Sequence, residues 1–198
     1  MKLEMIAVQG GSFMMGSLDS EAGRSTTESP QHQVTLPGFW MGKYPVTQAQ
    51  YQAIMGNNPA SFKGNNRPVE QVTWYEAMEF CDRLSKKLSQ PYTLPSEAQW
   101  EYACRAGTTT PFHFGETLTT DLANYDGNYI YANVWEWCLD HYHDSYNGAP
   151  ADGSAWVTGG DSDLRILRGG SWAYRVNSSP GNRYNAVSFR VVSVPPSP

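Results

Sequence analysis

The clearest apolar pattern in the chain runs from Thr73 to Leu88. Ala77, Met78, Cys81, Leu84 and Leu88 recur at helical spacing, with Glu79, Asp82, Arg83 and Lys86 on the remaining faces. A start signal precedes the pattern. Thr73-x-x-Glu76 matches a capping box, in which the cap hydroxyl accepts from the third backbone N–H and the acid reaches back. Thr47-x-x-Gln50 and Ser96-x-x-Gln99 repeat the signal, which predicts three helices. The last of them covers about residues 97–105 and ends near Gly107.

Shorter apolar runs lie on either side. Residues 4–15 read as a strand entering a glycine-rich turn. Gln33–Leu36 and Phe39–Tyr44 read as two further strands, and the polar stretch 17–31 as an exposed loop. Beyond Gly107 helical periodicity stops. Asp126-Gly127, Asn147-Gly148, Asp152-Gly153 and Gly159-Gly160 mark turns, while Ile166–Arg168 and Ser188–Val192 read as small strands. Alternation in Trp135-Glu136-Trp137 places both indoles on one side. The predicted class is α+β, with helices early and short antiparallel strands and long irregular loops late. One domain is expected over residues 1–198, with a frayed tail at 193–198.

Composition narrows the function classes. At 198 residues with 40% apolar and 17% charged types, the chain is globular rather than disordered. A net charge of −5 argues against a nucleic-acid surface. No stretch is long and apolar enough for a bilayer and no apolar leader opens the chain, so a cytoplasmic protein is expected. Cys81, Cys104 and Cys138 are odd in number, which rules out a complete disulfide set, and buried free thiols are expected. His141-x-His143, flanked by Asp140 and Asp144, would offer two metal ligands if it formed a strand; a polar loop is the preferred reading. No nucleophile elbow, zinc-protease, phosphate-loop or dinucleotide motif is present.

Six phrases occur in a telling order: Gly10-Gly-Ser-Phe-Met-Met-Gly16, Phe39-Trp-Met-Gly-Lys-Tyr-Pro-Val-Thr47, Pro68-Val-x-x-Val-Thr-Trp-Tyr-Glu-Ala77, Leu94-Pro-Ser-Glu-Ala-Gln-Trp-Glu-Tyr-Ala103, Asn133-Val-Trp-Glu-Trp137 and Arg168-Gly-Gly-Ser-Trp172. In this order they resemble the formylglycine-generating enzyme (sulfatase-modifying factor) family across nearly the whole chain. The resemblance implies an elaborated C-type-lectin-like fold. Catalytic members oxidise a substrate cysteine with dioxygen, using a cysteine pair and copper in the segment after the Arg-Gly-Gly-Ser phrase. This chain has no cysteine after Cys138, so copper chemistry and catalytic residues are not expected. Other relatives build an iron site from histidines with the help of a separate helical domain, and this sequence carries no such domain. The resemblance also implies calcium, with Glu136 as carboxylate, Val134 as carbonyl and Asn124 and Asp126 in a nearby acidic loop. The connection before this phrase is shorter here than is usual in the family.

A non-catalytic branch of the family, the variable proteins of diversity-generating retroelements, frames a display surface between the Arg-Gly-Gly-Ser-Trp and Phe-Arg-Val phrases. Adenine-directed diversification leaves Lys, Gln, Glu, Met and Trp out of such a surface, and residues 173–188 contain none of these. The resemblance therefore implies a ligand-binding surface at Trp172, Ala173, Tyr174, Arg175, Asn177, Ser178, Ser179, Gly181, Tyr184, Asn185 and Ala186. Aromatic, arginine and small polar side chains suit that role. The expected partner is a protein or other macromolecule bound by a monomer, with neither nucleic acid nor membrane involved. The competing reading is a divergent oxidase or a sulfatase-maturation accessory protein.

Overall fold

A computed structural model describes residues 2–21, 24–108, 134–169 and 171–193. The strands and helices run in the order β1 (Met5–Val8), β2 (Gly11–Met15), a 3-10 turn (Thr26–Glu28), β3 (His32–Leu36), β4 (Phe39–Gly42), α1 (Gln48–Met55), α2 (Trp74–Leu88) and α3 (Glu97–Arg105). They continue as β5 (Trp135–Tyr142), β6 (Asp161–Gly169), β7 (Ser171–Ser178), β8 (Val187–Ser188) and β9 (Val192–Ser193). Among the described residues no helix is long and apolar enough to cross a membrane.

All three predicted capping boxes form, with both reciprocal bonds present at Thr47, Thr73 and Ser96. α3 stops at Arg105 because Ala106 turns left-handed, one residue before the expected glycine. The single strand expected over residues 4–15 is two. The chain breaks at Gly10, where a Cβ would lie 2.7 Å from the backbone nitrogen of Gly38. Only glycine allows that approach of two backbones.

The strands form three sheets, ordered β1-β4-β9, β2-β3 and β7-β6-β5-β8. All pairings are antiparallel except β5 with β8. The four-stranded sheet is the partition of the molecule. Trp135, Trp137, Leu167 and Val176 pack on one face with Tyr51, Phe80, Leu84 and Phe189. Cys138 and Ile166 pack on the other with Met15, Val34, Phe39 and Trp100. The predicted alternation at Trp135-Glu136-Trp137 therefore holds: both indoles join the first core while Glu136 turns to Trp100 on the other side.

Three expectations need correction. β5, β6 and β7 run for 8, 9 and 8 residues, beyond the short bounds expected around Ile166–Arg168, because β6 is paired along both of its edges. His141 sits in β5 rather than in a polar loop. Ser193 is buried and paired with Trp40, so it does not belong to a frayed tail. The three cysteines are free, with Cys81 and Cys138 buried and Cys104 half-buried. Burial pushes each thiol upward, Cys104 to about 11.

Candidate binding surface

β7 lies at the end of the four-stranded sheet and pairs with β6 through Arg165–Ser178, Ile166–Asn177, Leu167–Val176 and Arg168–Arg175. Alternation divides its side chains. Tyr174 and Val176 lie on the first-core side, where the Tyr174 ring is 5.8 Å from that of Trp135. Arg175 points to the opposite face.

After Ser178 the chain turns across the start of α2. The Trp74 N–H donates to the Pro180 carbonyl at 3.0 Å, and the Gln71 N–H donates to the Tyr184 carbonyl at 2.9 Å. Arg183 donates to the Gln71 carbonyl and pairs with Glu76, each at 2.7 Å. Within the turn, the Tyr184 hydroxyl shares a 3.0 Å hydrogen bond with Ser178 Oγ and accepts from Asn182 Nδ2 at 2.9 Å. The turn is thus fixed by backbone bonds and by Arg183, while most of its side chains other than Pro180 stay outside. Tyr174, Asn177, Ser179, Gly181, Tyr184, Asn185 and Ala186 are exposed. At Gly181 an added Cβ would meet nothing within 4 Å, so larger side chains have room there.

Two residues of the expected surface are not on it. Ser178 is buried under Tyr184 and Asn182. Arg175 is buried too, and it grips Glu97 through Nε at 2.8 Å and through a second nitrogen at 3.1 Å. Its remaining nitrogen donates to the carbonyls of Thr27 and His143, both at 2.8 Å. Four of the five N–H donors of its planar fork are engaged, which suits a structural anchor and not a display residue. Trp172 and Ala173 lie on the backbone of β7, and their side chains fall outside the described part.

Beneath the surface Arg175 is one member of a buried ionic cluster. Arg168, fully buried, donates to Glu101 and lies 3.6 Å from Glu97. Arg105 donates to Glu101 at 3.0 Å and to the Gly16 carbonyl at 2.9 Å, while the Gly16 N–H returns to Glu101. Tyr146 donates its hydroxyl to Glu97 at 3.0 Å. Burial alone would raise the Glu97 carboxyl, but Arg175 and Arg168 outweigh it and hold Glu97 below its usual range. Among the described residues Asp140 has no cation within ion-pair distance. Burial first, then the charge of Glu97, push its carboxyl up to about 7, although it accepts from the N–H groups of Glu97 and Trp156.

That shift has a sign. The folded protein holds the Asp140 proton more tightly than the unfolded chain does. Its contribution to stability is present below the unfolded value of 3.8 and is lost as pH rises toward about 7. Urea unfolding at pH 5 and pH 8 should therefore show the wild type losing more stability than Asp140→Asn over that interval. The difference should be on the order of a few kcal/mol at most. An equal loss in both proteins would contradict the assignment.

Neither metal reading suits the described residues. Glu136 accepts from the Trp100 indole at 3.1 Å and pairs with Arg190 at 2.9 Å. A calcium ion there would have to displace a guanidinium, so Glu136 does not fit the cation that the resemblance implied. Val134 is half-buried beside it, and Asn124 and Asp126 lie outside the described residues. His143 stacks on Trp156 with ring centroids 3.5 Å apart, and its two nitrogens contact the carbonyls of His141 and Thr158. It cannot join His141 in holding a metal. Among the described residues no group of three metal-ligating side chains comes together.

Sequence reasoning did not place Trp74 and Tyr75 beside the turn; it treated them as part of a scaffold phrase. Tyr75 is 58% exposed, which a scaffold phrase does not require. The unusual Trp-Tyr pair directly after a helix cap was the available signal.

The model of the family described as "Sulfatase-modifying factor enzyme 1-like domain" matches residues 1–132 and 123–193. Serine/threonine-protein kinase Pkn1 of Chlamydia trachomatis is 28% identical over 94% of this chain and 38% of its own length. The chain spans less than half the length of the first curated relatives it matches, 46% and 38%. Among solved structures, PvdO from Pseudomonas aeruginosa superposes with a TM-score of 0.82 at 29% identity, covering 96% of this chain and 94% of PvdO. Treponema denticola variable protein 1 also gives 0.82, at 25% identity, covering 96% and 95%.

Proposed function

The chain belongs to the sulfatase-modifying factor enzyme 1-like domain family, and we propose that it uses this scaffold without catalysis, as a ligand-binding protein. One observation carries the reading. Tyr174, Asn177, Ser179, Gly181, Tyr184, Asn185 and Ala186 are exposed on a strand and turn whose backbone is fixed by bonds to α2 and β6. Binding surfaces favour this combination of a rigid backbone with aromatic anchors and adaptable polar side chains. The two tyrosines supply area at low entropy cost, and Asn and Ser adapt their hydrogen bonds to the partner. Treponema denticola variable protein 1 has the same fold over nearly its whole length, which supports a surface open to variation. The absence of cysteine after Cys138 supports the non-catalytic part.

A phage-displayed random-peptide selection on the immobilised protein tests the proposal. Selected peptides should lose at least about tenfold in affinity with Tyr174→Ala or Tyr184→Ala, a hot-spot-sized effect. Lys43→Ala, at an exposed salt bridge with Glu4, should leave them unchanged. Peptides indifferent to both tyrosines would refute the surface. Stoichiometric Cu(I) binding with oxygen consumption on a cysteine peptide would overturn the non-catalytic reading in favour of the oxidase.

A further inference from the structure

Beside the turn, two strands and one helix bring together three side chains that the binding surface has not yet used. Arg165 on β6 is the register partner of His141 on β5 and of Ser178 on β7. Its guanidinium lies 4.7 Å from the centre of the Trp74 ring. Trp74 in turn holds the Pro180 carbonyl, so the trio adjoins residues 178–184 directly.

The polar atoms of this trio are incompletely paired. One Arg165 nitrogen donates to the carbonyls of Ser162 and Leu164, at 2.7 and 3.1 Å. Its Nε is buried and has no partner among the described residues, and the same holds for Nδ1 of His141. Arg168, Arg175, Arg183 and Arg190 each have a carboxylate within ion-pair distance, whereas among the described residues Arg165 has none. Burial first and Arg165 second lower the pKa of His141, while a bond to the Gly159 backbone opposes them. A buried donor left without its hydrogen bond is costly to a fold. The Arg165 Nε–H can only donate, so the group it lacks is an oxygen acceptor.

We propose that Arg165, held on Trp74 beside His141, recognises a carboxylate, and that the partner of the surface presents an Asp or Glu side chain there. The inference rests on the binding-surface reading and specifies one group of its ligand. Stacking on the indole fixes the plane of the guanidinium before the partner arrives, which preserves the geometry of a bidentate carboxylate contact. A single carboxylate fits better than a polyanion. Asp161 and Asp163 are exposed on the same strand, and the whole chain carries −5, so an extended nucleic-acid backbone would be repelled.

The test is an NMR titration of the full chain, labelled with ¹⁵N, reading the Trp74 indole and Arg165 Nε resonances. The probes are the capped peptide Gly-Glu-Gly, its Gly-Gln-Gly counterpart and free acetate. The Glu peptide should give saturable shifts with a Kd on the order of millimolar. The Gln peptide and acetate should each bind at least about tenfold more weakly, since one lacks the charge and the other the peptide context. Arg165→Gln should abolish the Glu response while other resonances keep their native dispersion. Arg165→Lys should retain part of it, because charge survives without the planar fork. Equal shifts with Glu and Gln peptides, or an undiminished response in Arg165→Gln, would overturn the proposal. Acetate binding as tight as the Glu peptide would also overturn it, making the site one for small free carboxylates. Failure here leaves the tyrosine-dependent peptide selection standing, so the two readings fail separately.

Discussion

Replacing Arg175 with alanine is expected to destabilise the protein by about 3–5 kcal/mol, whereas Tyr174→Ala beside it should cost about 1 kcal/mol or less. The two residues are neighbours in one strand with opposite surroundings. Tyr174 is 52% exposed and Arg175 only 5%. Removing the guanidinium leaves the buried Glu97 carboxylate short of its two-point partner, with Arg168 3.6 Å away as the next cation. It also strips a donor from the carbonyls of Thr27 and His143. Uncompensated buried charge is among the costliest defects a fold can carry. For a domain of this size the loss corresponds to a fall in melting temperature of roughly 6–20 °C. Arg175→Lys should recover only part of it, because an ammonium cannot hold both Glu97 oxygens and two carbonyls at once. Thermal unfolding followed by circular dichroism separates the cases. A mild Arg175→Ala would mean that β7 is not divided into an anchoring and a displaying face.

The pair also shows what the sequence could and could not reveal. Helix starts were legible because a capping box is written within four residues, as at Thr73 and Glu76. The exposed turn was legible in part, since Gly181, Tyr184 and Asn185 stand in a segment without acid or lysine. Arg175 was not, because its composition suits a binding surface and its true partner, Glu97, is 78 residues away. Glu136 misled for the same reason: its neighbour Arg190 is 54 residues away, and nothing local distinguishes a carboxylate bound for a cation site from one bound for a guanidinium. The meeting of His141 with Arg165 depends on strand register across a bulge, which no local pattern encodes. Local signals thus identify the helices and the soft turn, while the long-range sheet decides which side chains anchor and which are free.

Trp137→Ala is expected to be at least as damaging as Arg175→Ala, and its milder relative bears on the binding surface. The Trp137 side chain is fully buried in the first core, and its indole donates to the Val72 carbonyl at 3.1 Å. Truncation to alanine should cost about 3–5 kcal/mol from lost burial and the cavity left behind. The orphaned carbonyl adds about 1 kcal/mol or more. Trp137→Phe isolates the second effect, since most of the apolar volume remains and the hydrogen bond does not. Val72 stands next to the Thr73 cap and between Gln71 and Trp74, whose N–H groups hold the Tyr184 and Pro180 carbonyls. Untying Val72 should therefore loosen the seat of the turn at residues 179–186. In Trp137→Phe, hydrogen exchange at the Gln71 and Trp74 amides should accelerate more than at α1 amides such as Tyr51, at a global cost of about 1–2 kcal/mol. Peptides selected on the wild type should bind this variant more weakly, because they would have to order the turn as they bind. If the Gln71 and Trp74 amides stay as protected as in the wild type, the turn draws its rigidity from elsewhere, and the indole serves the core alone.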